Sequence, residues 1–468
     1  MRLAAGAFVA TILLLSSGCA GGEERDRQAS ATTTQRSYDF PAPPIVIDEP
    51  LTRSVDEALA RLLPSAAVGI LDPEALNAIG GSRDARLGWL VSDLLRFYQG
   101  GDEERRLVEA FERLTGVDVR KDPLFSESAW RTVTDHLIAW ELPAPPRYRE
   151  RKAELYTALE PGWKPFFADV DSEIDWRLVA WGGVLIDDRS PGDTSPCARG
   201  CIPALDDPAL TGADGGAWYP DERLVFGVVV GGEAVAFPKN IMEVHEVVNV
   251  TIGGRRLGIP YCTLCRSAQA YLVDSVPAGV EPPVIRTSGL LSRSNKVMYD
   301  LRSRSVFDTF TGRALSGPLQ DAGVVLEQVT VVSSTWGAWK RAHPETRIVA
   351  QDGGIGRSYD EDPLRGRDDD GPIFPIGDAD PRLPVQVEIV GVIAPDGRPV
   401  AFRADRARAA VASGDQVVLA GVELFADGGG LRARRSNGTG GGEELPAHQA
   451  FWFAWSQFHP DTALWTGR

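Results

Sequence analysis

The chain has 468 residues, of which 43% are hydrophobic and 24% charged, with 12 Trp. That composition supplies sizeable cores and excludes a disordered protein, and the length predicts two or three domains. A formal net charge of −16 excludes the basic face that nucleic-acid binding needs, so acidity here serves solubility.

In chain order, Arg2 gives a minimal positive start, Leu3 to Leu15 an apolar run too short to span a bilayer, and Ser16-Ser17-Gly18-Cys19 a small-residue cleavage site. A Cys closing such a segment resembles a bacterial lipobox, with Leu15 one place further from the Cys than usual. Residues 1–19 are therefore expected to be a lipoprotein-type signal peptide, and Cys19 the lipidated first residue. An ordinary cut, giving a secreted protein, is the alternative. Either route leads out of the cytoplasm, and the lipid makes the membrane the expected partner; no protein partner is indicated. Residues 20–50, with AGGEERDRQASATTTQRS and PAPP, read as a flexible tether.

From Leu51 to Trp163 the pattern is helical: Leu59, Leu62 and Leu63 share a face, as do Leu87, Leu90, Val91, Leu94 and Leu95, and then Trp130, Val133, Leu137 and Trp140. These are core stripes, ended by Pro143, Pro145 and Pro146. From Trp176 onward short β-rich runs alternate with Gly, Pro and Asp turns. The expected fold class is α+β, with a helical domain over 51–163 followed by a mainly β domain over 176–468. Gly231-Gly232 and Gly253-Gly254 each sit between strand-like runs, the signal of a two-residue hairpin.

The stretch His245 to Tyr271, HEVVNVTIGGRRLGIPYCTLCRSAQAY, concentrates the chemistry. A helix over 240–248 would place His245 and Asn249 on one face. Cys262 and Cys265 follow the second strand of the Gly253-Gly254 hairpin, and Ala268, Ala270 and Leu272 then alternate with Gln269, Tyr271 and Val273, which favours a strand. The CxxC thus lies on a strand–turn–strand knuckle, without the helix N-terminus that lowers a thiol pKa in thioredoxin-like proteins.

An internal repeat runs through the β-rich part. TWGAWKRAHPETRIV (335–349) and FWFAWSQFHPDTALW (451–465) share W-x-A-W-x-x-x-H-P-[DE]-T, and FGVVVGGEAVAF (226–237) echoes VGVIAPDGRPVAF (390–402). A duplicated lobe is expected, the first copy at about 197–352 and the second at about 385–468, with the extra length of the first including the Cys262/Cys265 segment. His343 and His459 each precede Pro at the end of a short helix, which a structural role explains in both copies.

Several strings together resemble one family, the bacterial domain of unknown function 3179: CIPALDDP, VVVGGEAVAFP, VHEVVN, YCTLC, SGLLSRSNKVMYD, TGRALSGPL and the two Trp–His-Pro stretches, in family order. The resemblance implies a secreted or membrane-anchored bacterial protein with a mainly β domain, and no established activity. Thr263 and Arg266 stand where the family pattern has Pro and Gly, and Phe307 where it has Trp. The pair Cys197/Cys201 is additional to the commonest pattern and is expected to be a disulfide stapling a loop. The same strings make Ser288, Gly289, Ser294, Asn295, Tyr299 and Asp300 the expected wall of a pocket.

Three readings stand for Cys262 and Cys265: a structural disulfide; a metal site with His245, and Glu246 or solvent, completing a set suited to Zn or Cu(I); and a redox-active dithiol, the two thiols being the only catalytic candidates. His245-Glu246-x-x-Asn249 lacks the second His of a zinc protease. The functional expectation is a cell-envelope protein whose CxxC knuckle holds a metal or exchanges thiols. The alternative is a binding or scaffold module whose cysteines are staples.

Overall fold

The computed structural model describes residues 38–467 apart from 47, 367–370 and 439–440. The expected signal segment with Cys19 and the first part of the expected tether lie outside the described residues. Among the described residues, no helix is long and apolar enough to cross a membrane.

The helical part comprises α1 (Arg53–Ala67), α2 (Pro73–Gly81), α3 (Gly88–Phe97), α4 (Gly101–Thr115), α5 (Ala129–Ala139), α6 (Tyr148–Leu159) and α7 (Lys164–Ala168). Local signals set several ends. The Asp72 carboxylate accepts the Glu74 and Ala75 amides in front of Pro73, and Gly116, at φ +75°, closes α4. The leucine and tryptophan stripes turn inward and form one core with Leu290, Leu291, Val297 and Tyr299 of the β-rich part. Trp163 Nε1 donates to the Ser288 carbonyl at 2.7 Å, and Asp135 accepts the amides of Ile376 and Gly377 at 2.7 Å each. The helices therefore cover the sheets, and residues from Tyr38 onward form one compact unit.

The rest is mainly β, in five small blade-like sheets among the described residues. After β1 (Val179–Trp181), β2 (Leu205–Asp206) and β3 (Leu210–Gly212), the first copy opens with the hairpin β4 (Leu224–Val230) and β5 (Glu233–Pro238), then α8 (Lys239–His245), β6 (Val247–Ile252) and β7 (Arg255–Cys262). Next come β8 (Ser267–Ala268), β9 (Ala270–Leu272), β10 (Ile285–Ser292), β11 (Asn295–Asp300), β12 (Val306–Phe307), α9 (Gly317–Asp321) and β13 (Glu327–Val329). β14 (Val332–Thr335), α10 (Trp336–Ala342) and β15 (Arg347–Val349) finish it. The second copy runs through β16 (Glu388–Ile393), β17 (Pro399–Arg403), α11 (Ala404–Ala412), β18 (Val417–Leu419), β19 (Val422–Asp427), β20 (Gly430–Arg435), β21 (Glu444–Leu445), β22 (Ala447–Phe451), α12 (Trp452–Phe458) and β23 (Ala463–Trp465).

The duplication is topological. The order β14-β4-β5-β15 recurs as β22-β16-β17-β23, each with its last strand parallel to its neighbour, and the meander β6-β7-β9-β13 recurs as β18-β19-β20-β21. The repeated letters have physical roles. Trp339 Nε1 donates to Thr346 Oγ1 at 2.9 Å, and Trp455 Nε1 to Thr462 Oγ1 at 2.8 Å. His343 and His459 lie against those same indoles, with ring centroids 4.0 and 4.2 Å apart. The first copy is longer in two places: β10 to α9 is inserted between β9 and β13, and the Cys262–Cys265 knuckle replaces the Gly428-Gly429 turn of the second copy.

The copies dock reciprocally. The Gly428-Gly429 turn lies against Trp339 and Ala338 of α10, and Asp427 accepts from His343 Nε2 at 2.8 Å. In return, the Cys265 carbonyl accepts the Phe451 amide at 2.9 Å at the start of α12.

Both Gly-Gly hairpins form as expected; Gly253 and Gly254 have φ of +56° and +77°. One expectation fails. The helix over 240–248 stops at His245, because Glu246 turns to φ +54° and the β-branched run Val247–Ile252 enters the sheet. Asn249 is thus a strand residue.

A Cβ added at Gly227 or Gly391 would sit 2.4 Å from the Trp339 ring or 2.2 Å from the Trp455 ring. Gly227→Ala and Gly391→Ala should each cost about 1–3 kcal/mol by overpacking, checked by urea unfolding.

Candidate functional site

The knuckle is built by the end of β7 turning back on β8. Cys262 pairs with Ser267, and the Arg266 amide donates to the Thr263 carbonyl at 3.2 Å. The turn needs a left-handed residue, and Arg266 supplies it at φ +48°, where Gly would be unstrained and a residue with a Cβ pays about 1–2 kcal/mol. The guanidinium has compensating anchors on the second copy: Glu388 at 2.8 Å and the Phe451 ring at 5.8 Å. The left-handed turn is therefore made by a residue with a Cβ that is held in place from the second copy.

Cys262 and Cys265 are free thiols, 2% and 0% exposed. Both Sγ atoms approach the Ser294 carbonyl, at 3.6 and 3.5 Å. Ser294 lies in the β10–β11 turn, held there by Arg293 at φ +54°. Beside the sulfurs, Lys296 is 4% exposed; its ammonium is paired with the Glu246 carboxylate and donates to the carbonyls of Tyr261 at 2.9 Å and Glu246 at 3.0 Å. Thr263 Oγ1 also donates to Glu246, at 3.2 Å. Burial pushes both thiols toward the neutral form. For Cys265 that effect wins, together with the adjacent Cys262, and its pKa stands well above the ordinary thiol range. For Cys262 burial and the Glu246 carboxylate oppose ionisation, but the hydrogen bond from Cys265, with smaller help from the Lys296 charge and amide, prevails, so it ionises first, below the ordinary value.

A cavity of about 280 Å³ lies next to this centre, lined by Glu246, Thr263, Leu264, Ser288, Gly289 and Lys296 among others. Thr263 and Leu264 are the two residues between the cysteines, so they form the wall between cavity and sulfurs. Gly289 is required by its geometry: its φ is +77°, and a Cβ would sit 2.4 Å from the Val184 carbonyl. Of the other expected wall residues, Ser294 presents its carbonyl to the sulfurs and Asn295 opens β11. Tyr299 and Asp300 point elsewhere: the Tyr299 hydroxyl donates to the Asp187 carbonyl at 2.7 Å, and the Asp300 carboxylate accepts the amides of Val284 and Ser303 at 2.7 Å each.

His245 is not brought to the cysteines. Its Nδ1–H donates to the Pro203 carbonyl at 2.7 Å, and its Nε2 accepts from the Tyr359 hydroxyl at 2.7 Å. It lines a second cavity, about 460 Å³, together with Cys197 and Cys201. The physical reason is the chain reversal at Glu246: consecutive side chains leave the helix end in opposite directions, Glu246 toward Lys296 and His245 toward Pro203. Cys197 and Cys201 form a disulfide, with Cα atoms 5.3 Å apart.

Sequence reasoning missed a buried charge network at the larger cavity, which Asp206 and Arg189 line. Arg286, 1% exposed, forks onto both oxygens of Asp206 at 2.9 and 2.6 Å; Asn249 donates to Asp206 at 2.9 Å and to the Ile285 carbonyl at 3.0 Å. Arg189 pairs with the fully buried Asp187 at 2.7 Å. The signal was present in GGVLIDD and CIPALDDP, whose acidic residues stand among apolar ones.

A protein-family model with the description "Protein of unknown function (DUF3179)" matches residues 199–462, more than half of the chain. The chain belongs to this family. The DUF3179 match takes in the knuckle, Lys296 and both copies of the duplication, while Cys197 falls just outside it. No curated protein and no solved structure matches the chain.

Burial lowers the His245 pKa to about 4. The unfolded chain, with a histidine pKa near 6.5, then binds the extra proton over that window, so the stability that rests on neutral His245 is lost as pH falls from about 6.5 toward 4. At pH 5 the loss is about 2 kcal/mol, and His245→Gln should show a correspondingly smaller drop in urea-unfolding free energy between pH 7 and pH 5. Lys296→Met should raise the pH at which the first thiolate appears, read by ultraviolet thiolate absorbance.

Proposed function

We propose that this protein is an extracytoplasmic, lipid-anchored thiol-redox protein whose Cys262/Cys265 pair cycles between dithiol and disulfide. The observation that carries the reading is the pair itself: two free buried thiols facing one carbonyl, their ionisations split in opposite directions beside a buried ammonium. A metal centre at this knuckle has less support. Among the described residues no third His, Cys, Asp or Glu joins these sulfurs in a ligand cluster, and a closed zinc site takes four ligands. The Cys197–Cys201 disulfide is in keeping with an oxidising compartment.

In the proposed step the Cys262 thiolate attacks one sulfur of a small disulfide, expelling the first thiolate. Cys265 then loses its proton and attacks the Cys262 sulfur, expelling the second. Two electrons pass to the small disulfide, which leaves as two thiols after taking the Cys265 proton and, from solvent, the one Cys262 had released. The hydrogen bond from Cys265 and the Lys296 charge favour the Cys262 thiolate at the start, and Thr263 and Leu264 must part for a disulfide in the adjoining cavity to reach it. The competing reading is a structural one, favoured by the bond from Phe451 to the Cys265 carbonyl, in which the knuckle only joins the two copies.

Equilibration of the full chain in buffers of a small thiol and its disulfide, followed by thiol labelling and mass spectrometry, separates the readings. The expected result is a reversible two-electron couple that disappears in Cys262→Ser and Cys265→Ser and persists in Cys197→Ser. A pair that stays in one state across the whole buffer range would overturn the redox reading and leave the structural one.

A further inference from the structure

The Cys197–Cys201 loop carries a second piece of chemistry, independent of the knuckle. The two sulfurs and a carboxylate oxygen of Asp187 all lie within 4.8 Å of one another, the only such group of potential metal ligands among the described residues. They come from separate segments. Asp187 follows the Val184–Ile186 stretch that runs beside Cys201 through a bridge at Leu185, while the cysteines lie on the loop closed by Gly200 at φ +86°. Asp187 is fully buried and held in place: its oxygens accept from Arg189 Nε at 2.7 Å and from the Ala204 amide at 2.7 Å. Oδ2 also accepts from Arg189 Nη2 at 3.1 Å and is fully engaged, whereas the second contact on Oδ1 is a long one, from the Arg189 amide at 3.4 Å, and is the one a metal would displace. The cysteines are half-buried and open onto the cavity of about 460 Å³.

We propose that the Cys197–Cys201 disulfide masks a binding site for a thiophilic divalent cation of the Zn²⁺ class, held after reduction by Cys197, Cys201 and Asp187. Reduction by an external dithiol moves two electrons and two protons onto the sulfurs and leaves the dithiol as its own disulfide. Metal binding then releases two protons as both cysteines become thiolates. A tetrahedral zinc holds two thiolate sulfurs about 3.8 Å apart, so the two sulfurs, once released from their bond, must separate across the loop to grip it. Charge also fits. Arg189 offsets Asp187, and the two thiolates neutralise the cation. The fourth position faces the cavity and takes solvent, the arrangement of an open zinc site. His245 shares this cavity, but its Nε2 is engaged by Tyr359 and it is not needed for the set.

The test uses the full chain carrying Cys262→Ser and Cys265→Ser, so that failure here is distinct from failure of the redox reading. The protein is reduced with a non-chelating phosphine and titrated with Co²⁺, then Zn²⁺. The expected result is one equivalent of Co²⁺ with thiolate charge-transfer absorption, displaced by Zn²⁺ and lost on reoxidation. Cys201→Ser and Cys197→Ser should each abolish the charge-transfer band, and Asp187→Asn should weaken affinity at least tenfold with the far-ultraviolet circular dichroism unchanged. If Asp187→Asn does not fold, the two cysteine variants decide. No metal uptake by the reduced chain, or uptake that survives Cys201→Ser, overturns the proposal.

Discussion

A single buried ammonium holds the centre of this protein together. Lys296 projects from β11 into a space where only four per cent of it meets water, and it is satisfied by the end of α8 through Glu246 and by the end of β7 through the Tyr261 carbonyl. Stranding one partner of such a pair costs about 3–5 kcal/mol, so the three elements are effectively tied to one position. Tyr261 is the residue before Cys262, and Ser294 lies two residues before Lys296. The position of the sulfurs against the Ser294 carbonyl therefore follows from where the ammonium sits. The helical part completes the arrangement from outside: Trp163 bonds the strand that carries Ser288, and the apolar side chains of α3, α5 and α7 keep water from the back of that sheet.

What could be read in the sequence was mostly short-range. The Gly-Gly hairpins, the alternation after Cys265 and the leucine stripes each depend on neighbours within a few residues, and each forms as expected. The duplication was legible because the same contacts, indole to threonine hydroxyl and imidazole on indole, had to be spelled with the same letters twice. The helix end at His245 was misread because Val247–Ile252 suits either period over so few residues, and the sheet decided it. His245 and Glu246 then separate, a consequence of one left-handed residue that no pattern in HEVVN announces. The Lys296–Glu246 and Arg286–Asp206 pairs join residues 50 and 80 positions apart, beyond the reach of any local rule.

The same geometry explains why the thiols behave differently. Their surroundings are equally dry, so burial alone would raise both. What separates them is the hydrogen bond between them: the S–H of Cys265 is given to Cys262, which favours the Cys262 thiolate, and the charge on Cys262 then opposes the second ionisation. The left-handed Arg266 lies just past this pair, and its guanidinium reaches across to Glu388. The cost of its conformation is met at the boundary between copies, not within the knuckle.

The reciprocal docking of the two copies has a further meaning. Each half offers the other a tight turn and receives it on a tryptophan helix, which is the geometry of a self-complementary, two-fold handshake drawn within one polypeptide. A chain half this length, with one turn and one helix, would leave both faces bare unless it found a twin. Held in one chain, the two halves meet without that concentration dependence, and their turns need not match: one is a pair of glycines, and the other carries the two cysteines.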